Sequence, residues 1–144
     1  MASPVRDPPT PSAADQAPTL THLPPVRRIL RSFGFALEGL ATLLRTQPNF
    51  VVHVAAACVA LGLGIALRLG PLELALIILT IALVLVVESI NTALETLCDL
   101  VSPGVHPLIK RAKDVAAAAV LIAAATAVVV AALLFGPRLL GLLT

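Results

Sequence analysis

One stretch of this sequence, VVESINTALETLCD (86–99), places three carboxylates and an amide in otherwise apolar surroundings. At about 100° per residue, Glu88, Asn91, Glu95 and Asp99 fall within an arc of roughly 80° on one helix face. Carboxylate and amide oxygens are the ligands that suit Mg²⁺, with phosphate oxygens completing its shell. These four residues, called the polar stripe below, therefore predict chemistry on a metal-bound phosphate group.

A second charged cluster follows in HPLIKRAKDV (106–115), where Lys110, Lys113 and Asp114 occupy the first turns of a predicted helix. Lysines are suited to binding phosphate, and Asp114 is suited to a metal or a nucleotide group. The structural alternative is a basic anchor at the membrane surface with an aspartate favoured by the helix dipole. Because a short turn joins the two predicted helices, we expect both clusters to face each other or their copies in another subunit.

Carboxylates and lysines together favour metal-assisted phosphoryl transfer to a lipid head group. The sequence contains no GxxxxGK[ST] loop, and His53 and His106 lack the ligand spacing of a zinc site. The alternative function is that of a small oligomeric protein that binds cations or relays protons. Thr80 is the only polar residue in 74–87, so the sequence does not continue the polar stripe into a pathway across the membrane.

The composition predicts an all-α integral membrane protein. Of 144 residues, 58% are hydrophobic and 12% are charged, and the mean hydropathy is +1.00. A soluble domain carries about 25% charged residues. The net charge of +2 is too small to predict nucleic-acid binding.

The N-terminal part of the chain predicts two different segments. Residues 1–26 contain seven of the twelve prolines and predict a disordered tail. Residues 27–46 alternate apolar side chains with arginines in the pattern of an amphipathic helix lying on a membrane surface. The alternative for this helix is packing against other protein. A membrane domain is expected over 27–144.

Three apolar segments predict membrane spans, at about 50–68, 72–98 and 111–136. The middle segment has only 14 uncharged residues between Glu73 and Glu88. Such a helix measures about 21 Å, whereas the hydrocarbon core is about 30 Å thick. The helix must therefore continue past Glu88 and draw that carboxylate below the membrane surface.

The distribution of basic residues predicts the orientation of the chain. Arginines precede the first span, and Lys110, Arg111 and Lys113 follow the second, whereas Arg68 and Arg138 stand alone near the other ends. The positive-inside rule then places the N-terminus and the second connection in the cytoplasm, with the C-terminus outside. The polar stripe would thus face the compartment that contains ATP.

The segment VVESINTALETLCDLVSPGVHPLIKRAKDVAAAAV (86–120) resembles the signature of the bacterial integral-membrane diacylglycerol kinase family, which includes undecaprenol kinases. The shared pattern is E-x-x-N-[ST]-A-x-E-x-x-x-D, a connection with a histidine, and then A-K-D with small residues. The resemblance implies three membrane helices and a surface helix, assembled as a homotrimer in the bacterial inner membrane. It also implies ATP and Mg²⁺ as phosphate donor and cofactor.

The resemblance further implies roles for the polar stripe. Glu95 matches the general base that takes the proton of the lipid hydroxyl. Glu88 matches a metal-binding carboxylate, and Asn91 matches an essential amide beside it. Asp99 matches an acidic residue at the mouth of the site.

Other matched positions concern the nucleotide and the metal. Lys113 and Asp114 match the nucleotide-binding pair, and Arg28 and Arg31 match basic positions of the surface helix. Gln47 stands where the family usually has a metal-binding glutamate. An amide oxygen can still bind Mg²⁺ but lacks the charge, so weaker metal binding is expected.

The expected reaction is ATP-dependent phosphorylation of a membrane lipid hydroxyl. With diacylglycerol the product is phosphatidate, and with undecaprenol it is undecaprenyl phosphate. The sequence leaves both acceptors open. The cation-binding protein remains the alternative, and Gln47 also allows an inactive scaffold that keeps the fold.

Overall fold

The computed structural model describes residues 24–102, 104 and 106–142. Within these ranges the regular structure consists of four helices, α1 (Pro25–Thr46), α2 (Pro48–Ala66), α3 (Pro71–Val101) and α4 (Pro107–Gly141). The predicted all-α architecture is therefore confirmed. Of the predicted disordered tail, residues 1–23 lie outside the described part of the chain.

The chain divides into two compact units, residues 1–39 and 40–144. The described part of the first unit is the beginning of α1, whose side chains are almost all exposed. The helix begins at Pro25, two residues before the predicted boundary, because proline suits the first helical position. Its predicted location on a membrane surface stays a prediction.

The three remaining helices are long and apolar enough to cross a membrane. They contain 19, 31 and 35 residues, or about 28, 46 and 52 Å of helix. Large apolar side chains cover their outer surfaces, among them Val59, Leu79 and Ile122, each at least 68% exposed. Such surfaces suit hydrocarbon as solvent, and the expected three spans agree with this architecture.

Helices α2 and α3 form a tight hairpin through residues 67–70. Arg68 adopts a left-handed conformation with φ 52°, which turns the chain and directs Leu69 back onto the helix end. A Cβ added at Gly64 would lie 3.2 Å from side-chain atoms of Leu69 and Leu74. Glycine at this position therefore allows the close approach on which the hairpin depends.

Two ion pairs show that α3 and α4 run antiparallel along their whole length. Lys113 Nζ lies 2.6 Å from Asp99 Oδ1 at one end, and Arg138 Nη2 lies 2.6 Å from Glu73 Oε2 at the other. The pairs are 26 residues apart on α3 (73 to 99) and 25 apart on α4 (113 to 138). The helices therefore keep a constant register, which fixes what lies opposite the polar stripe.

The hydrophobic core lies towards the hairpin end of the second unit. Leu69, Ile77 and Phe135 are buried together there, one from the hairpin turn and one each from α3 and α4. The Glu73–Arg138 pair closes this end, and Glu73 Oε2 also accepts a hydrogen bond of 2.8 Å from the Gly70 backbone N–H at the start of α3. Apolar packing thus concentrates at one end, and the polar stripe occupies the other.

Candidate functional site

One face of α3 connects the core to the polar stripe. Its residues follow the 4-3-4-3-4 spacing that keeps side chains on one side of a helix. This inner face of α3 consists of Ile77, Ile81, Val84, Glu88, Asn91 and Glu95. Ile77, Val84, Glu88 and Asn91 are all at most 8% exposed. The face is apolar up to Val84 and polar from Glu88 onward.

Glu88 is a buried carboxylate inside a helix long enough to span a membrane. It is 2% exposed, and none of the hydrogen bonds or ion pairs among the described residues involves it. A buried charged group without a partner is energetically costly. The carboxylate is therefore suited to a cation, or to a donor from a ligand or a second copy of the chain.

Asn91 provides a second buried oxygen one turn further along α3. Its Nδ2 donates a hydrogen bond of 3.2 Å to Glu95 Oε1, and its Oδ1 is buried without a hydrogen-bond partner in the described structure. An ionised carboxylate only accepts hydrogen bonds, so Asn91 must present its nitrogen to Glu95. The amide oxygen therefore points away from Glu95 and is available to another group.

The donor set fits a hard cation such as Mg²⁺. The Glu88 carboxylate and the Asn91 Oδ1 atom are oxygen ligands, they are buried, and neither has a protein partner in the described ranges. No group of three or more His, Cys, Asp or Glu side chains occurs there that would enclose a metal by itself. An ion held by these two oxygens would complete its shell with amides, water or phosphate oxygens.

Charged side chains surround the polar stripe near the end of α3. Asp99, one turn beyond Glu95, pairs with Lys113 across the α3–α4 interface at 2.6 Å. Lys110 pairs with Asp114 along α4 at 2.5 Å. Such exposed pairs contribute little to stability. Their effect is to bring the predicted phosphate-binding lysine to the predicted acidic stripe, as expected from the sequence.

Local structure explains how α4 presents its charged first turns. His106 caps the helix by accepting a hydrogen bond of 3.3 Å from the Leu108 backbone N–H at its Nδ1. Pro107 follows at the first helical position, where its missing N–H costs nothing. The cap fixes where α4 starts, and Lys113 consequently faces Asp99.

Gln47 lies immediately before α2, in extended backbone with φ −114° and ψ 99°. It is 17 residues before Gly64, and Asn91 is 17 residues after Leu74, which Gly64 faces across the hairpin. The antiparallel arrangement therefore brings Gln47 to roughly the level of Asn91 along the helix axis. Its side chain is half-buried, and its predicted role as a metal ligand stays a prediction.

Arg28 and Arg31 lie on exposed positions of α1 in the first unit, and their predicted nucleotide contacts remain predictions. Sequence reasoning missed two features of the second unit. One is the Glu73–Arg138 pair, whose signal was the opposite charges at the far ends of two predicted spans. The other is a groove lined by regularly spaced alanines of α2 and α4, described below.

Comparison with known proteins identifies relatives over most of the chain. A sequence model of the prokaryotic diacylglycerol kinase family matches residues 34–135. The undecaprenol kinase of Bacillus subtilis is 38% identical over 118 residues, covering 82% of this chain and 96% of its own. The diacylglycerol kinase of Synechocystis is 40% identical over 117 residues, covering 81% and 67%. That of Pseudomonas aeruginosa is 36% identical over 94 residues, covering 65% and 76%.

These matches include α2, α3 and most of α4, and therefore the complete polar stripe and the lysines of the second cluster. The resemblance seen in residues 86–120 is thus confirmed over a much longer stretch. With its three long apolar helices, the chain belongs to the prokaryotic diacylglycerol kinase family, a family of membrane lipid kinases.

Proposed function

We propose that this protein transfers the γ-phosphoryl group of ATP to the hydroxyl group of a membrane lipid, with Mg²⁺ as cofactor. The observation that carries the proposal is the pair of buried, unpartnered oxygens on Glu88 and Asn91, directly beside Glu95. Membership of a lipid kinase family supports the same reaction. The reaction takes place at the cytoplasmic surface of the bacterial inner membrane, where the basic flanks place the polar stripe.

The acceptor is diacylglycerol, giving phosphatidate, or undecaprenol, giving undecaprenyl phosphate. Relatives of both names match this chain. The undecaprenol kinase matches over 96% of its own length, against 67% and 76% for the two diacylglycerol kinases. Undecaprenol is therefore the first acceptor to test.

Glu88, the Oδ1 atom of Asn91 and Gln47 are the groups that would hold Mg²⁺. When bound, the ion neutralises the charge of the phosphate oxygens during transfer. The burial of Glu88 and Asn91 supports this role, because the low dielectric of their surroundings strengthens the binding of a cation. Gln47 contributes an oxygen without a charge.

Glu95 acts as the general base. Asn91 donates to its Oε1 atom, and no hydrogen bond among the described residues uses its Oε2 atom. Oε2 accepts the proton of the lipid hydroxyl as the hydroxyl oxygen forms its bond to the γ-phosphorus. The bond between that phosphorus and the bridging oxygen of the departing ADP breaks in the same step.

Lys113 and Asp114 bind the nucleotide, with Arg28 and Arg31 adding positive charge near its phosphates. Lys113 already lies beside the polar stripe through its pair with Asp99 at the mouth of the site. A phosphate oxygen replaces Asp99 as its partner when ATP binds. Homotrimer assembly, with each site built between subunits, would supply further partners for the groups left unpaired in one chain.

The experiment is phosphate transfer from labelled ATP to undecaprenol or diacylglycerol in mixed micelles, with Glu95→Gln as the decisive variant. Loss of a general base lowers turnover by about 10²- to 10⁴-fold. Nucleotide binding should remain close to that of the unchanged protein. Thr96→Val is the matched control, because Thr96 is an exposed neighbour of Glu95 outside the polar stripe.

Each outcome separates the proposal from its alternatives. Label in one lipid that disappears with Glu95→Gln would establish the activity and identify the acceptor. Equal loss of turnover and nucleotide binding in that variant would contradict the role of Glu95 as base. Folded protein that labels neither lipid, yet binds divalent cations through Glu88, would favour the cation-binding alternative.

A further inference from the structure

A groove of about 280 Å³ runs between α2, α3 and α4 in the second unit. Its walls are almost entirely apolar, and small side chains from α2 and α4, including Ala57, Ala60 and Ala127, give it its width. It is open along one side, where the helices present apolar side chains outward. In a membrane this opening faces hydrocarbon.

The groove is continuous with the polar stripe. Ile77, Ile81 and Val84 of the inner face of α3 all line it, and Glu88 follows Val84 by one turn on the same face. The face therefore changes from apolar to polar at the point where the groove reaches the candidate site. A lipid alcohol has the same division between its hydrocarbon chain and its hydroxyl group.

The polarity of the lining gives the groove a direction. Among its lining residues only His53 and Thr80 are polar, and the Thr80 hydroxyl donates to the Leu76 carbonyl oxygen at 2.7 Å. His53 lies at the end of the groove nearer to Glu88, while Phe135 lies at the far end, in the core. A molecule in the groove would thus meet a polar group near the candidate site and only apolar atoms beyond it.

The size of the groove suits a single hydrocarbon chain. A dry apolar cavity of about 150 Å³ accommodates benzene, with six carbons. By the same measure, 280 Å³ accommodates about ten carbons. The groove also extends over eight residues of α3, from Ile77 to Leu85, which is about 12 Å.

We infer that the groove binds the hydrocarbon chain of the acceptor lipid, with the chain directed towards Phe135 and the hydroxyl group at the polar stripe. The inference rests on the proposed lipid kinase function and adds to it the residues that select the acceptor. About the first ten carbons of the chain lie between α2, α3 and α4, and the remainder extends into the bilayer. Chains shorter than this leave apolar surface of the groove uncovered.

The first test measures transfer to single-chain acceptors of graded length, both polyprenols and monoacylglycerols, at a fixed mole fraction in mixed micelles. We expect kcat/KM to rise with chain length up to about ten carbons and then to level off. In Ala127→Phe the added ring occupies the groove, so the plateau begins at a shorter chain. For the longest acceptors kcat/KM should fall by about tenfold or more.

Ala125→Phe is the matched control. Ala125 lies two residues from Ala127 on α4, is exposed, and does not line the groove. It should keep the chain-length profile of the unchanged protein. Equal profiles for both phenylalanine variants, whether altered or not, would overturn the inference.

The second test reports on the groove without requiring turnover. A long-chain alcohol with a diazirine at about its tenth carbon should label peptides containing Ile81 and Ala131, and excess undecaprenol or diacylglycerol should prevent labelling. A phospholipid with the same diazirine serves as the comparison. Equal labelling by the phospholipid would show a general lipid contact and overturn the inference.

The two tests also separate this inference from the proposed function. Specific labelling of the groove by the alcohol, in protein that phosphorylates no lipid, would contradict the kinase reaction and leave the groove assignment intact. Phosphorylation without labelling of the groove would do the reverse. A change in the size of the purified complex in Ala127→Phe but not in Ala125→Phe, with no labelling, would show that a second copy covers the groove.

Discussion

At Glu88 a carboxylate with 2% of its surface exposed lies within a helix able to span a membrane. A charged side chain in the middle of a spanning helix costs about 3 kcal/mol on insertion scales. The Asn91 amide does not offset this cost, because its nitrogen is bound to Glu95 and its oxygen is an acceptor. The cost is offset only by a cation or donor from elsewhere, which is why Glu88 is better explained by ligand binding than by folding.

Gln47→Glu should strengthen metal binding. The substitution adds a carboxylate at roughly the level of Asn91, and a further negative ligand increases the affinity for a divalent cation. We expect the Mg²⁺ concentration for half-maximal phosphate transfer to fall by about tenfold.

Asn49→Asp is the control, since it adds the same charge two residues later at an exposed position. A similar fall in both variants would mean that Gln47 acts only through the surface charge. An unchanged Mg²⁺ requirement in Gln47→Glu would remove it from the metal site.

Lys113→Met should weaken ATP binding selectively. Lys113 is held beside the polar stripe by Asp99, whereas Arg111, in the same turn of α4, is exposed. We expect the KM for ATP to rise by about tenfold or more in Lys113→Met, since a charge-assisted bond to phosphate is lost. Arg111→Met removes the same charge and should change it by less than about twofold. Equal effects in steady-state assays would show that only the net charge matters.

At the scale of elements, the hairpin of α2 and α3 depends on one glycine more than on another. Gly62 and Gly64 both lie in α2 and look alike in the sequence. A Cβ at Gly64 would meet three side chains, with distances of 3.2 Å to Leu69 and Leu74, whereas a Cβ at Gly62 meets nothing within 4 Å. The packing of Leu69 into the core therefore depends on Gly64.

Gly62→Ala and Gly64→Ala should differ in stability. Alanine favours a helix over glycine by about 1 kcal/mol, and Gly62→Ala should gain most of this. At Gly64 the close contacts offset the gain, so Gly64→Ala should be less stable than Gly62→Ala by about 1 kcal/mol. Reversible unfolding in mixed micelles measures both. A loss of stability in Gly62→Ala would instead indicate a neighbouring copy packed against that position.

At the scale of the whole molecule, the outward apolar surface of the second unit requires a membrane as its surroundings. The two ends of the α3–α4 pair differ in charge as well. Lys110, Arg111 and Lys113 lie near the start of α4, and Arg138, paired with Glu73, lies near its end. This asymmetry predicts that the connection between α3 and α4 is cytoplasmic.

Single cysteines should report this orientation. In a Cys58→Ala, Cys98→Ala background, Leu142→Cys should react with a membrane-impermeant maleimide in spheroplasts, because the C-terminus is outside. Gly104→Cys, in the connection between α3 and α4, should react only after the membrane is opened. Both positions are exposed, so access does not distinguish them. The opposite labelling pattern would reverse the predicted orientation and move the polar stripe away from cytoplasmic ATP.

The sequence by itself determined the three long apolar helices and the common face of Glu88, Asn91 and Glu95. These features depend on hydropathy and on spacings of three and four residues, which a helix converts directly into faces. The family also followed from the sequence, because its signature is a local pattern in residues 86–120.

Only the tertiary structure decided which side chains meet across helices. The Asp99–Lys113 pair joins residues 14 apart in the chain, and the Glu73–Arg138 pair joins residues 65 apart. The groove combines residues of three helices whose rotation about their axes no local pattern specifies. Helix register and facing depend on close packing, such as Leu69 against Gly64. That packing is why the apolar groove ends where the polar stripe begins.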